Sequence, residues 1–171
     1  MLGKALLKWI GGGGEVAESD ALVRAAAVLD GVAPERARYV AAFAYLLARV
    51  ASVDSQVSPD EMDLMHRVVQ READLSDEEA KVIVDLALGD AIRFAGTHNL
   101  DVTREFMTLA TAEQRLGLLR CLFAVSAADD SVELAEDNEI RRISRELKIE
   151  HADFIGARAE VRAQLKVLRL P

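Results

Sequence analysis

Two pairs of carboxylates share one spacing. Asp54 and Glu61 lie seven residues apart, and so do Asp129 and Glu136. A shift of 75 positions superposes Leu46–Val69 on Cys121–Ser144, so that Leu47, Val50, Asp54, Val57, Glu61 and Arg67 meet Leu122, Val125, Asp129, Val132, Glu136 and Arg142. Each segment reads as helix, short turn, helix, with the aspartate where the first helix ends and the glutamate in the first turn of the next. A helix C-terminus carries partial negative charge, which disfavours an aspartate there by about 0.3–1 kcal/mol. A nearby cation offsets this, and so does an Asx turn, in which the side chain accepts a local backbone hydrogen bond. Glu61 has a local explanation, because Ser58-Pro59-Asp60-Glu61 spells a capping box. Glu136 lacks one, since Glu133 stands at its cap position and glutamate caps poorly.

The chemistry of these acids depends on how the two turns are placed. Turns at opposite ends of the fold would leave two separate pairs. Facing turns would gather Asp54, Glu61, Asp129 and Glu136 into one cluster, with Asp60, Asp130 and Glu133 flanking it as further candidate ligands. Crowded carboxyls either raise their pKa values or bind a cation. Oxygen-only ligation favours calcium, magnesium or manganese over zinc. Neither turn is an EF-hand loop, because the D-x-D-x-D-G order is missing.

The elements that must position these acids read as helices throughout. Asp20–Leu29 is a first candidate, ended by Gly31. Pro34 suits a first helical position and opens a helix to about Val53. Capping boxes at Ser58-Glu61, Ser76-Glu79 and Thr111-Gln114 each announce a helix start. A loop over Gly96–Asn99 precedes a short helix near Thr103–Leu109, and helices near Leu134–Leu147 and Asp153–Leu168 follow. No stretch alternates with a two-residue period, which excludes a sheet. The expected fold is all-α, a single compact helical domain of about seven to eight helices with an internal pseudo-twofold repeat of helical hairpins, over residues 15–171. Residues 1–14 stand apart as an amphipathic peg with a glycine linker, Gly11–Gly14. Leu2, Leu6, Trp9 and Ile10 share one face of that peg, suited to a partner groove or membrane surface, or to folding back on the domain.

Composition narrows the classes. The chain has 171 residues, 51% of them apolar, and 21 basic against 29 acidic residues for a net charge of −8. That acidity repels phosphate backbones and argues against nucleic-acid binding. One cysteine, Cys121 in an apolar helical stretch, excludes an internal disulfide and multi-cysteine metal sites. The longest uncharged apolar run, Tyr39–Ala48 between Arg38 and Arg49, is half a bilayer span. The N-terminal stretch lacks the pattern of a secretory signal, because Lys8 interrupts it. His66, His98 and His151 form no zinc-hydrolase spacing, and no P-loop, nucleophile elbow or dinucleotide fingerprint is present. The residues assemble no catalytic constellation, so no enzyme is expected.

Given twice, the pattern A-x-x-D-x-x-V-x-x-x-E between apolar helices resembles the tellurite-resistance protein B (TerB) family and its TerB-like relatives. The matching pieces are Ala51-Ser52-Val53-Asp54 through Glu61 and Ser126-Ala127-Ala128-Asp129 through Glu136, within a resemblance from about Ala37 to Val161. The resemblance implies an all-helical, cytoplasmic domain serving tellurite-type stress resistance, peripheral to the inner membrane through a membrane-protein partner. It also implies a divalent cation on Asp54, Glu61, Asp129 and Glu136. The family has glycine after each aspartate, whereas Ser55 and Asp130 stand there. Serine tolerates the left-handed backbone less well than glycine, so the first turn is expected to bend differently. The alternative is a metal-free interaction module that docks a partner or membrane surface through its peg or its acidic face. The residues leave the oligomeric state open.

Overall fold

The computed structural model describes residues 27–28, 30–93, 99–129 and 134–168, and these are helical with short connections. In chain order the helices are α1 (Pro34–Ala51), α2 (Pro59–Ala73), α3 (Asp77–Arg93), α4 (Asn99–Leu109), α5 (Ala112–Ser126), α6 (Leu134–Glu146) and α7 (His151–Leu168). The peg, its linker and most of the candidate helix Asp20–Leu29 lie outside the described residues, as do Asp130 and Glu133.

The sequence of α1 is apolar on every side, and such a helix must be enclosed. It is: Ala37 and every residue from Tyr39 to Ala51 is buried. Helices α2, α3, α4, α5 and α6 all pack against it, and α7 docks on α5 from outside. The core layer that results holds Phe43, Leu46, Leu47, Met65, Phe106, Leu118, Leu119, Leu122, Ile140 and Ile143, all nearly inaccessible. At about 1.5–3 kcal/mol for each large side chain, this burial dominates the stability of the fold. Tyr39 stacks on Phe106 with ring centroids 5.3 Å apart, tying α1 to α4.

Local chemistry sets the helix starts. Ser58 Oγ accepts from the Glu61 N–H at 3.2 Å while the Ser58 N–H donates to Glu61 Oε2 at 2.7 Å. The Ser76–Glu79 and Thr111–Gln114 boxes close in the same reciprocal way. Replacing Ser58 with Ala should remove about 1 kcal/mol and lower Tm by about 2–4 °C, read by thermal unfolding. Two boundaries differ from the sequence expectation. Helix α1 stops at Ala51 rather than near Val53, because the Val53 N–H donates to the Val50 carbonyl, three residues back instead of four, at 3.2 Å. Helix α4 begins at Asn99, a full turn before Thr103, because the Tyr45 hydroxyl donates to Asn99 Oδ1 at 3.0 Å and Thr103 Oγ1 to the Asn99 carbonyl at 2.7 Å.

Candidate functional site

Asp54, Glu61, Asp129 and Glu136 line one cavity of about 180 Å³, together with Gln56, Val57 and Ser58. The α1–α2 turn and the segment joining α5 to α6 therefore face each other, and the four acids are neighbours rather than two distant pairs. Each α1–α2 acid is also tied locally. Asp54 Oδ1 accepts the Gln56 N–H at 2.9 Å, the Asx turn that relieves an acid at a helix end. Glu61 closes the α2 cap with one oxygen and still reaches the cavity wall. Ser55 adopts the left-handed backbone after all, with φ 64°, so the turn bends as a glycine would bend it, with a serine carrying the strain.

The two glutamates are the unusual members. Glu61 is 3% and Glu136 2% exposed, and both carboxyls sit where water cannot solvate them fully. Ser126 Oγ donates to Glu136 Oε2 at 2.5 Å, and this bond fastens the first turn of α6 to the last residue of α5. Burial pushes the Glu136 carboxyl up to about 8. The Ser126 hydroxyl opposes that rise, and the adjacent Glu61 and Asp54 carboxyls add to it. At neutral pH Glu136 is therefore largely protonated and presents a neutral carboxyl to the cavity. None of the described residues lining the cavity is basic.

A hard divalent cation suits this site in donor chemistry, since every side-chain donor offered is oxygen. The present arrangement is not a finished cage. Among the described residues, no three Asp, Glu, His or Cys side chains form a group able to hold a metal ion. Asp60, counted among the flanking candidates, is exposed and does not line the cavity. No helix among the described residues is long and apolar enough to cross a membrane.

Other candidates fall into structural roles. Cys121 is partly buried, and burial pushes its thiol to about 11, with Glu72 adding to the rise, so it is a poor nucleophile at neutral pH. His151 is exposed and stacks near Phe154, with ring centroids 6.4 Å apart, while His66 is partly buried. The sequence reading missed Arg49, which it took only as the end of an apolar run. Arg49 is buried and donates through Nε to Glu139 at 2.5 Å, and through Nη1 and Nη2 to Glu146 at 2.9 and 3.1 Å. The available signal was Glu139 and Glu146, seven residues apart on one face of α6.

Both acidic turns fall inside residues 40–159, the stretch that matches the family model described as tellurite resistance protein TerB. No curated protein and no solved structure matches the chain. With that match spanning most of the chain, and with an all-helical fold that brings both acidic turns to one cavity, the chain belongs to the TerB family.

Proposed function

We propose that this TerB-family domain is a divalent-cation-responsive stress protein whose cation lies among Asp54, Glu61, Asp129 and Glu136. One observation carries the reading: two buried carboxyls, Glu61 from the first hairpin and Glu136 from the second, meet in a cavity that no described basic side chain lines. Burying two carboxyls with no described basic side chain beside them is costly, and a bound cation would offset that cost. Calcium, magnesium or manganese would satisfy the oxygen donors, and the cation would join the two hairpins by displacing the proton on Glu136. The family match supports a tellurite-resistance-type role; the further parts of the proposal are a membrane-protein partner and a place in the cytoplasm, at most peripheral to the inner membrane.

A second reading has its own support. Asp54, Glu61 and Glu136 each already hold a hydrogen bond to Gln56, Ser58 or Ser126. On that reading the acids are turn and cap groups, and the protein is a metal-free interaction module acting through its N-terminal peg (Leu2, Leu6, Trp9, Ile10) or its acidic face. Thermal unfolding of EDTA-stripped protein separates the two. A hard cation at a hundred times its Kd adds about 2.7 kcal/mol, which raises Tm by roughly 5–10 °C. Asp54→Asn should abolish that rise. A Tm unmoved by calcium, magnesium, manganese and zinc would overturn the cation reading and leave the interaction module.

A further inference from the structure

The turn that carries Asp54 also contributes Val53 and Ser55 to a second cavity, of about 260 Å³, whose wall includes Arg49, Ile92, Asn99 and Arg142. It does not depend on the cation site. Its polar wall is rich in donors. Arg49 is 5% exposed, and its bonds to Glu139, Glu146 and Thr103 use four of its five guanidinium N–H groups among the described residues. One N–H is left on a side chain that lines the cavity. Arg142 is mostly exposed and only loosely paired with Glu139, at 3.8 Å, so its planar fork is available. Asn99 has its Oδ1 taken by Tyr45, which leaves the amide NH2 as its unused end among the described residues. Ser55 adds a hydroxyl.

Ser52, Ala91 and Glu139, whose carboxylate is held by Arg49, complete the wall, and its two large apolar side chains are wet. Val53 is 38% and Ile92 56% exposed. Two of the five large apolar side chains left in water among the described residues thus line one cavity beside a group of donors. A guanidinium fork recognises a planar carboxylate through two parallel hydrogen bonds. Exposed aliphatic groups beside it gain by covering a hydrocarbon tail. The volume is at the small end for ligand cavities, which suits a short chain and excludes a long acyl one. Arg49 and Arg142 are balanced by Glu139 and Glu146, so short-range hydrogen bonds rather than net charge must do the attracting.

We infer that this cavity binds a short-chain aliphatic carboxylate, with its head on Arg142, Asn99 and the remaining N–H of Arg49 and its tail on Val53 and Ile92. The head can belong to a free acid or to the carboxyl end of a peptide. The test is an NMR titration of the full chain with sodium hexanoate, compared at equal ionic strength with hexylammonium chloride and hexan-1-ol. Hexanoate should give saturable shifts of the Val53 and Ile92 methyls and the Ser55 amide, with neither control reproducing them. Arg142→Gln, on an exposed side chain that the fold does not need, should weaken hexanoate about tenfold or more, the loss of one charge-assisted pair. Unsaturable shifts, equal shifts with hexylammonium, or an Arg142→Gln affinity equal to wild type would each overturn the inference. EDTA should leave the titration unchanged, which keeps this result separate from that of the cation site. A tetrapeptide ending in leucine that binds more tightly than hexanoate, with its amidated form inert, would assign the source to a protein C-terminus. Weaker peptide binding would assign it to a free acid.

Discussion

Replacing Arg49 with Met should destabilise the protein by about 3–5 kcal/mol, a fall in Tm of roughly 6–20 °C. The guanidinium is buried in the middle of the helical stack, where it joins α1 to α4 through Thr103 and to α6 through Glu139 and Glu146. Methionine fills similar volume, so packing changes little. What changes is that Glu139 and Glu146 face each other across a low-dielectric gap with nothing positive between them. The pair as a whole need not add net stability, because desolvating three charged groups opposes their attraction. The triple replacement Arg49→Met, Glu139→Leu, Glu146→Leu should therefore recover most of the loss, which a simple packing defect at position 49 would not allow. Urea unfolding followed by both circular dichroism and fluorescence measures each step. The pH dependence gives a second check. Burial alone would raise the Glu146 carboxyl, but the bonds from Arg49 and Thr103 outweigh it and hold it below its ordinary value. A depressed carboxyl contributes stability above its unfolded pKa and loses it as pH falls through the folded one. Wild type should lose that increment under acid, and the Arg49→Met protein should have none to lose.

Arg49 also marks the limit of what the sequence makes legible. The helix starts at Ser58, Ser76 and Thr111 are readable because each is settled within four residues by one hydroxyl and one carboxyl or amide. Helix ends and turns are less readable, since Asp74 at the end of α2, Lys148 just past α6 and Ser55 in the turn after α1 are non-glycine residues in the left-handed region. Nothing in those side chains announces the conformation, which packing of the adjoining helices imposes. The four acids were legible as a recurring spacing, yet spacing could not decide whether their turns would face. The burial of α1 against five other helices decides that, and it brings Asp54 and Glu61 to the same cavity as Asp129 and Glu136. Ser126, whose hydroxyl holds Glu136, aligns with Ala51 in the first segment, so the spacing pattern hid it. The Arg49 network joins residues 54, 90 and 97 positions apart, and no local rule reaches that far.

Stability of the metal-free protein should fall as pH rises from about 5 to 8, the reverse of what most paired carboxylates produce. Burial, with the Glu61 and Asp54 carboxyls adding to it, lifts Glu136 to about 8 in the fold, against 4.5 for the free side chain. Between those values the folded state holds a proton that the unfolded chain has released, so unfolding releases protons and becomes easier as they grow scarce. The steepest loss is about 1.4 kcal/mol per pH unit, and it ends once Glu136 ionises in the folded state as well. Below the unfolded value both states are protonated and this group contributes no slope. Glu136→Gln should remove the slope, because an amide keeps a hydrogen-bonding neutral group beside Glu61 at every pH. The variant should also exceed wild type in stability at pH 8, read from urea midpoints at a series of pH values. A divalent cation competes with that same proton if it binds these carboxyls. Its affinity should then climb steeply between pH 6 and 8, and saturating cation should flatten the wild-type profile while leaving Glu136→Gln unmoved. A wild-type profile that rises over this range would mean that Glu136 is ionised in the fold, and that the two buried glutamates are already balanced by something other than a proton.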